Sequence, residues 1–347
     1  MAKGDPKPIS LALQGGGSHG AFTWGVLDCL LEQGSVTPKA VTATSAGAMN
    51  AVALAHGWVE NGPEGAREKL WELWNQVSRR GALAQSAAAL FPSTSIGAPN
   101  PLAAFSPMSL FSAFSSFASP YDFNPFDYNP LRTVVEEVID FSVVRRCKDV
   151  AIYLAATNVE TGRVDIFTGD DLSVDAVMAS ACLPQLFKAV EIDGKPYWDG
   201  GYLGNPSLFP LIYNEVPRDI LLVMLNPIRR EGTPRSAGAI ADRLNEITFN
   251  APLMGELRAI AFVQKLLDEN WLADRVKGRY RKLNLHAIRA DEELCHLDHE
   301  SKYDTSWNFL QDLRDRGRRE AARWLDGQLA SVGKRSSVNI QEEFLTD

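Results

Sequence analysis

The 347-residue chain predicts an α/β fold with a mainly parallel sheet, and three observations predict it. Two strand, turn, helix units follow one another at the start of the chain. Short apolar runs and helical patterns then continue to about residue 225. The composition, 45% hydrophobic and 22% charged, is enough to bury a sizeable core. Strands joined through helices lie parallel because each crossover carries the chain back over the sheet.

Ile9 to Leu13 is a short apolar run that ends in glycines, so it reads as a strand. Ala21 to Glu32 then carries Phe22, Val26, Leu27, Leu30 and Leu31 at helical spacing. Ala40 to Thr44 is the second strand, and the alanine-rich Ala46 to His56 is its helix. Further strands are expected at Val150 to Thr157, Val164 to Thr168, Lys188 to Glu191 and Ile220 to Leu225. Helices are expected near Glu64 to Ser78, Pro130 to Ile139 and Ser173 to Ala181.

Ala82 to Asn129 differs in kind: its 48 residues hold nine Ser, seven Phe and six Pro, but only two charges, Asp122 and Asp127. Disordered segments are poor in aromatics, so this is neither ordinary linker nor ordinary disorder, and it is expected to form an inserted cap or lid. Within it, Ser109 to Ser119 sets Leu110, Phe111, Phe114 and Phe117 on one side of a helix and the serines on the other, a face suited to peripheral membrane contact. From Ala237 onward the chain reads as mainly helical, through Ala251 to Trp271 and Thr305 to Leu329, with one strand at Arg281 to Ile288.

A net charge of −8 repels a phosphate backbone, which removes nucleic acid as a partner. Cys29, Cys147, Cys182 and Cys295 lack the paired spacing of a metal or redox motif and read as reduced thiols. Met1 to Lys7 is polar, no signal peptide is evident, and no run reaches the ~20 apolar residues of a spanning helix. The expected location is cytoplasmic, at most peripheral at a membrane.

Three motifs carry chemistry. Ala43-Thr44-Ser45-Ala46-Gly47 sits between a strand and a helix, where small residues allow a tight turn that exposes a hydroxyl. By itself such a Ser is more often a helix N-cap. Gln14-Gly15-Gly16-Gly17-Ser18-His19-Gly20 can turn backbone N–H groups toward an anion, as a phosphate cradle or an oxyanion hole. It matches the spacing of a dinucleotide fingerprint, but no Asp or Glu ends the second strand at Lys39 to Thr42, so that reading fails. Trp198-Asp199-Gly200-Gly201 alone is an ordinary turn.

In this order the three motifs resemble the patatin-like phospholipases, and the resemblance covers Ile9 to about Leu225. It implies a three-layer α/β/α fold over residues 9–230 with the insertion at 82–129, followed by a helical extension over 237–347. It also implies a dyad in which Ser45 attacks an ester carbonyl and Asp199 takes its proton, without a catalytic His. The N–H groups of Gly15, Gly16, Gly17 and Ala46 would form the oxyanion hole, supported by His19, Gly20, Gly47, Gly200 and Gly201. No metal or organic cofactor is implied.

Two residues depart from the family pattern: Ala43 replaces the usual Gly, and His19 stands where many relatives carry Arg or Lys. A His there either packs at the helix start or, when protonated, aids an anionic headgroup.

The expected function is hydrolysis of (lyso)phospholipid esters through an acyl-Ser45 intermediate. General esterase, neutral-lipid or polyester depolymerase and acyltransferase activity remain open on the same dyad, as does an idle lipid-binding protein. Three other features carry less. His56 lies eleven residues past Ser45, about 16 Å along the helix, too far for a triad. The run Cys295 to Glu300 lacks a second ligand cluster. The arginines at 314–323 are interleaved with acids.

Overall fold

The computed structural model describes residues 5–89, 119–124, 127–272, 280–297 and 300–345. The expected amphipathic helix with Leu110, Phe111, Phe114 and Phe117 lies outside the described residues.

The opening units form as β1 (Lys7–Leu13), α1 (Gly20–Gln33), β2 (Val36–Ala43) and α2 (Ala46–Ala89). The last of these is two helices fused across a break at Asn61 and Gly62, just before Pro63, which matches the two helices read from the sequence. There follow α3 (Pro130–Val138), β3 (Ala151–Asn158), β4 (Arg163–Thr168), α4 (Val174–Ser180), β5 (Val190–Ile192), β6 (Lys195–Asp199) and β7 (Asp219–Met224). The chain continues through α5 (Ala237–Asp268), β8 (Asn284–Arg289) and α6 (Trp307–Gln328).

The eight strands form one sheet in the order β5-β6-β3-β2-β1-β7-β8, with β4 also paired to β3. From β3 to β8 every pair is parallel; β4, β5 and β6 pair antiparallel. Side chains alternate across a strand, and both faces are covered. Leu11, Leu13 and Val41 face a core shared with α1, α2 and α6, while Ala12, Ala40, Leu222 and Met224 face Leu253, Leu257 and Ile260 of α5. The molecule is thus a three-layer α/β/α sandwich.

Residues beyond 237 contribute to both outer layers and to the sheet. β8 extends the sheet beside β7. α6 crosses α1 at close range: a Cβ on Gly25 would stand 1.9 Å from Arg314 O, and one on Gly317 2.0 Å from Phe22 O. Arg67 and Arg318 both grip Asp28 and Glu32 of α1 at that crossing.

Two elements differ from the sequence expectation. β6 was represented only by the apolar pair Tyr197-Trp198, because a five-residue strand containing Pro196 and ending in Asp has little β signature. α5 begins at Ala237, capped by Ser236 Oγ on Ala239 N (3.2 Å), not at Ala251. Pro252 there suggests a helix start, but the helix runs through it.

Candidate active site

β2 ends at Ala43, and two residues on the backbone turns sharply. Ser45 adopts φ +54, the left-handed region, at a cost of about 1–3 kcal/mol for a residue with a side chain. The turn is held from two sides. Thr44 Oγ1 donates to Gly204 O (2.6 Å), and Ser45 N–H donates to Ser180 Oγ (2.9 Å) at the end of α4. Ser45 therefore sits at the N-terminus of α2 without acting as its cap, and its side chain is only half-buried.

The glycine loop passes directly against this elbow. A Cβ on Gly15 would stand 2.7 Å from Ser45 Cβ, so no side chain fits there. Gly17 has φ +58, and a Cβ on it would meet Lys302 O at 2.4 Å. Gly20, Gly47, Gly200 and Gly201 each occupy positions where a Cβ would come within 2.6 Å of a neighbour.

Among the described residues, the amides of Gly16, Gly17 and Ala46 have no acceptor in the fold. Gly15 is a correction to the expected donor set: its N–H is taken by Asn205 Oδ1 at 2.7 Å, which ties the loop down instead of facing a ligand.

Behind the loop lies a buried polar frame. Gln14 Oε1 accepts from the amides of Leu225 (2.7 Å) and Asn226 (2.8 Å), and its Nε2 donates to Asn250 Oδ1 (2.8 Å). Asn226 Nδ2 donates to Gly15 O (3.1 Å), and Lys302 Nζ donates to Asn226 Oδ1 (2.8 Å). Burial pushes the Lys302 ammonium down to about 8. His19 Nε2 lies 2.7 Å from Ser301 Oγ, and its ring is tilted against Phe309 at 6.4 Å. It is buried, so it packs at the start of α1 and does not face a headgroup.

Asp199 reaches Ser45 through sheet register. On the edge of β3 that β2 occupies, Ala43 pairs with Leu154, and two residues further along Asp199 pairs with Ala156. β6 therefore takes over the space where β2 turns away, and its last residue arrives beside the elbow. Asp199 is 0% exposed, and its Oδ1 accepts from Gly201 N–H (2.7 Å).

Burial pushes the Asp199 carboxyl up to about 7, against the opposing pull of the Gly201 amide and the nearby Ser45 hydroxyl. That hydroxyl favours the charged form without completing a hydrogen bond to the carboxylate. Oδ2 is thus a buried oxygen with no hydrogen-bond partner among the described residues. A buried oxygen held in this way is a strong proton acceptor for whatever hydroxyl turns toward it.

The other expected candidates lie apart from this site. His56 Nε2 pairs with Glu60 (3.2 Å) and its Nδ1 accepts from Asp140 N, so both ring nitrogens are engaged away from Ser45. No group of three metal-ligating side chains occurs among the described residues, which exclude 298–299 of the Cys295 to Glu300 run. Cys29 and Cys182 are buried, Cys147 is half-buried and Cys295 is exposed, all as free thiols. No helix among the described residues is long and apolar enough to cross a membrane.

Ser180, Asn205, Asn226, Asn250 and Lys302 carried no functional signal in the sequence. All but Asn250 sit at element ends or in loops, and their partners lie far along the chain. A run of small residues, Ala179-Ser180-Ala181, was the only hint of the first.

The site thus brings together a serine on a strained strand-to-helix turn, a buried carboxylate and a glycine loop with unused amides, at one end of an α/β sheet. The family model described as patatin-like phospholipase matches residues 11–212, and the chain belongs to that family, whose activity is hydrolysis of lipid esters. No curated protein matches the chain in sequence.

Two solved structures show what the chain is similar to. VipD from Legionella pneumophila is 17% identical with a TM-score of 0.41, over 98% of this chain and 73% of that one. ExoU in its heterodimeric complex with SpcU, from the type III secretion system of Pseudomonas aeruginosa, is 15% identical with a TM-score of 0.38. The match covers 94% of this chain but only 52% of that one, so the protein spans about half the length of ExoU.

Proposed function

We propose that the protein hydrolyses carboxylic esters of phospholipids or lysophospholipids through an acyl-serine intermediate, with Ser45 as nucleophile and Asp199 as its base. The observation that carries this reading is the Asp199 carboxylate, fully buried with one oxygen unpartnered, beside a serine held at φ +54.

Ser45 Oγ attacks the ester carbonyl as its proton passes to Asp199 Oδ2. The tetrahedral oxyanion is received by the free N–H groups of Gly16, Gly17 and Ala46, aided by the positive end of α2. Collapse breaks the ester C–O bond, and Asp199 returns the proton to the departing alcohol. Water then attacks the acyl-serine by the same route in reverse roles, freeing the fatty acid and restoring Ser45. An ordinary carboxyl is a weak base for a serine hydroxyl, and a pKa near 7 narrows that gap by about three units. Site residues alone supply this chemistry, so the reading calls for no metal or cofactor.

The test compares hydrolysis of a short p-nitrophenyl ester series and a defined phospholipid by the wild type, Ser45→Ala and Asp199→Asn. Loss of turnover in both folded variants supports the dyad. Residual turnover by Ser45→Ala at the wild-type rate refutes it.

A further inference from the structure

α5 runs antiparallel to β7 and overshoots the catalytic end of the sheet. Gln264 Nε2 donates to Leu283 O (2.8 Å), just before β8 begins, and Leu253, Leu257 and Ile260 pack on Ile220 and Leu222. Phe249 lies against Gly201 and 5.2 Å from the Tyr202 ring, level with the Asp199 turn. Moving toward its N-terminus, the helix thus approaches the catalytic turns and passes them. The twelve residues Ala237 to Thr248 carry it about 18 Å further. Arg230 on Glu246 (2.6 Å) and Arg243 Nη2 on Ile228 O (2.8 Å) fix this projecting part to the loop before it.

The outward face of α5 is not that of an ordinary surface helix. Ile240, Leu244 and Ile247 are 43%, 59% and 50% exposed, at helical spacing on one side. From Gly238 to Phe262 the other exposed positions are Gly, Ala, Thr and the terminal Phe262, with Arg258 as the one charge and no acid. Surface helices carry Lys and Glu there, and an exposed apolar stripe marks a contact. The loop leading into α5 adds exposed Arg229, Arg230, Glu231 and Arg235, and the helix itself adds half-buried Asp242 and Arg243, with Arg230 and Arg243 both on Glu246. On a chain of net charge −8, this projecting end is apolar and carries a surplus of one cation, four arginines against three acids from 229 to 246.

We propose that Ile240, Leu244 and Ile247, with Arg229 and Arg235, form a docking surface for an anionic lipid bilayer that seats the elbow and Asp199 beside the headgroups. Apolar side chains enter the acyl boundary while arginines remain with the phosphates, the arrangement by which an interfacial helix binds. The surface rests on the hydrolase reading only for the statement that the substrate lies in a bilayer.

The test uses the full chain and the variant Ile240→Gln/Leu244→Gln/Ile247→Gln, whose sites are exposed and outside the catalytic machinery. Two quantities are measured: co-sedimentation with vesicles of phosphatidylcholine and phosphatidylglycerol in equal parts, and turnover of those vesicles against a water-soluble p-nitrophenyl ester. The expected result is a loss of vesicle binding of about tenfold or more with soluble-ester turnover retained. Equal sedimentation of the two proteins overturns the proposal, as does a wild type that does not bind vesicles. A wild-type dimer that the variant renders monomeric also overturns it and assigns the face to a second copy. A protein inert on every ester, yet vesicle-bound through these three side chains, keeps the docking surface while rejecting the hydrolase reading.

Discussion

Two regions of the molecule hold a buried carboxyl group whose pKa is pushed up to about 7, Asp199 at the end of β6 and Glu256 in the middle of α5. Desolvation is the leading cause in both, and backbone N–H groups oppose it in both. What they face differs. Glu256 Oε2 accepts from Leu208 N–H (2.8 Å) at the start of the short helix 209–213, beside a cavity of about 400 Å³ lined mainly by aliphatic and aromatic residues, with Gln264 and Arg281. Among the described residues of that lining there is no Ser or Cys. Asp199 spends one oxygen on a backbone N–H, leaves the other unpartnered and meets a hydroxyl on a strained turn. A perturbed pKa therefore marks burial, and it is the hydroxyl beside Asp199 that makes that carboxyl, and not Glu256, the candidate base.

That contrast breaks if the two carboxyls prove interchangeable. Ser45→Ala is expected to have the largest effect, a loss of kcat on the order of a thousandfold or more on a soluble ester with the fold intact by circular dichroism. Asp199→Asn is expected to cost on the order of a hundredfold or more, read in the same assay. Glu256→Gln, which keeps an acceptor for Leu208 N–H, is expected to stay within about twofold of wild type. A deep loss there would mean that Glu256 belongs to the site.

Lys302→Met falls between these. It unties Asn226, which holds the Gly15 carbonyl, so the oxyanion loop should shift and kcat should drop about tenfold with little change in KM. Equal kcat would limit the Lys302 contact to packing.

Stability sharpens the comparison in the opposite direction. Folding raises the Asp199 pKa from 3.8 to about 7, so the folded state holds the proton more tightly than the unfolded chain. Stability from that source is full below about pH 4 and is lost as pH rises through about 7, a change on the order of 4 kcal/mol. Asp199→Asn should thus be more thermostable than wild type at pH 8 and lose that advantage at pH 4. Glu256→Gln should show the same sign. The site is least favourable to the fold in the protonation state that the proposed mechanism requires.

Much of this was legible in the sequence, for identifiable reasons. Ser45, Asp199 and the glycine loop can be singled out as candidates because each motif is local, a few consecutive residues at an element end. The parallel sheet was found because its strands are long and apolar. The frame of Gln14, Asn205, Asn226, Asn250 and Lys302 was not, since each bond there joins residues from separate parts of the chain. The same reason explains Gly15. Sequence places it in the loop, but only the position of Asn205 shows that its amide is already used. β6 was missed because its strand character comes from pairing with β3, and the projecting start of α5 was hidden by Pro252.

The most direct test of the dyad is the rate of labelling by a fluorophosphonate, which requires an activated serine, measured against pH in the wild type and Asp199→Asn. The account predicts that wild-type labelling at Ser45 rises through an apparent pKa near 7 as Asp199 loses its proton, and that the variant shows no such rise and labels at least about a hundredfold more slowly above that pH, the two converging as pH falls. Labelling of Asp199→Asn at the wild-type rate, or a wild-type rate flat across that range, would contradict it.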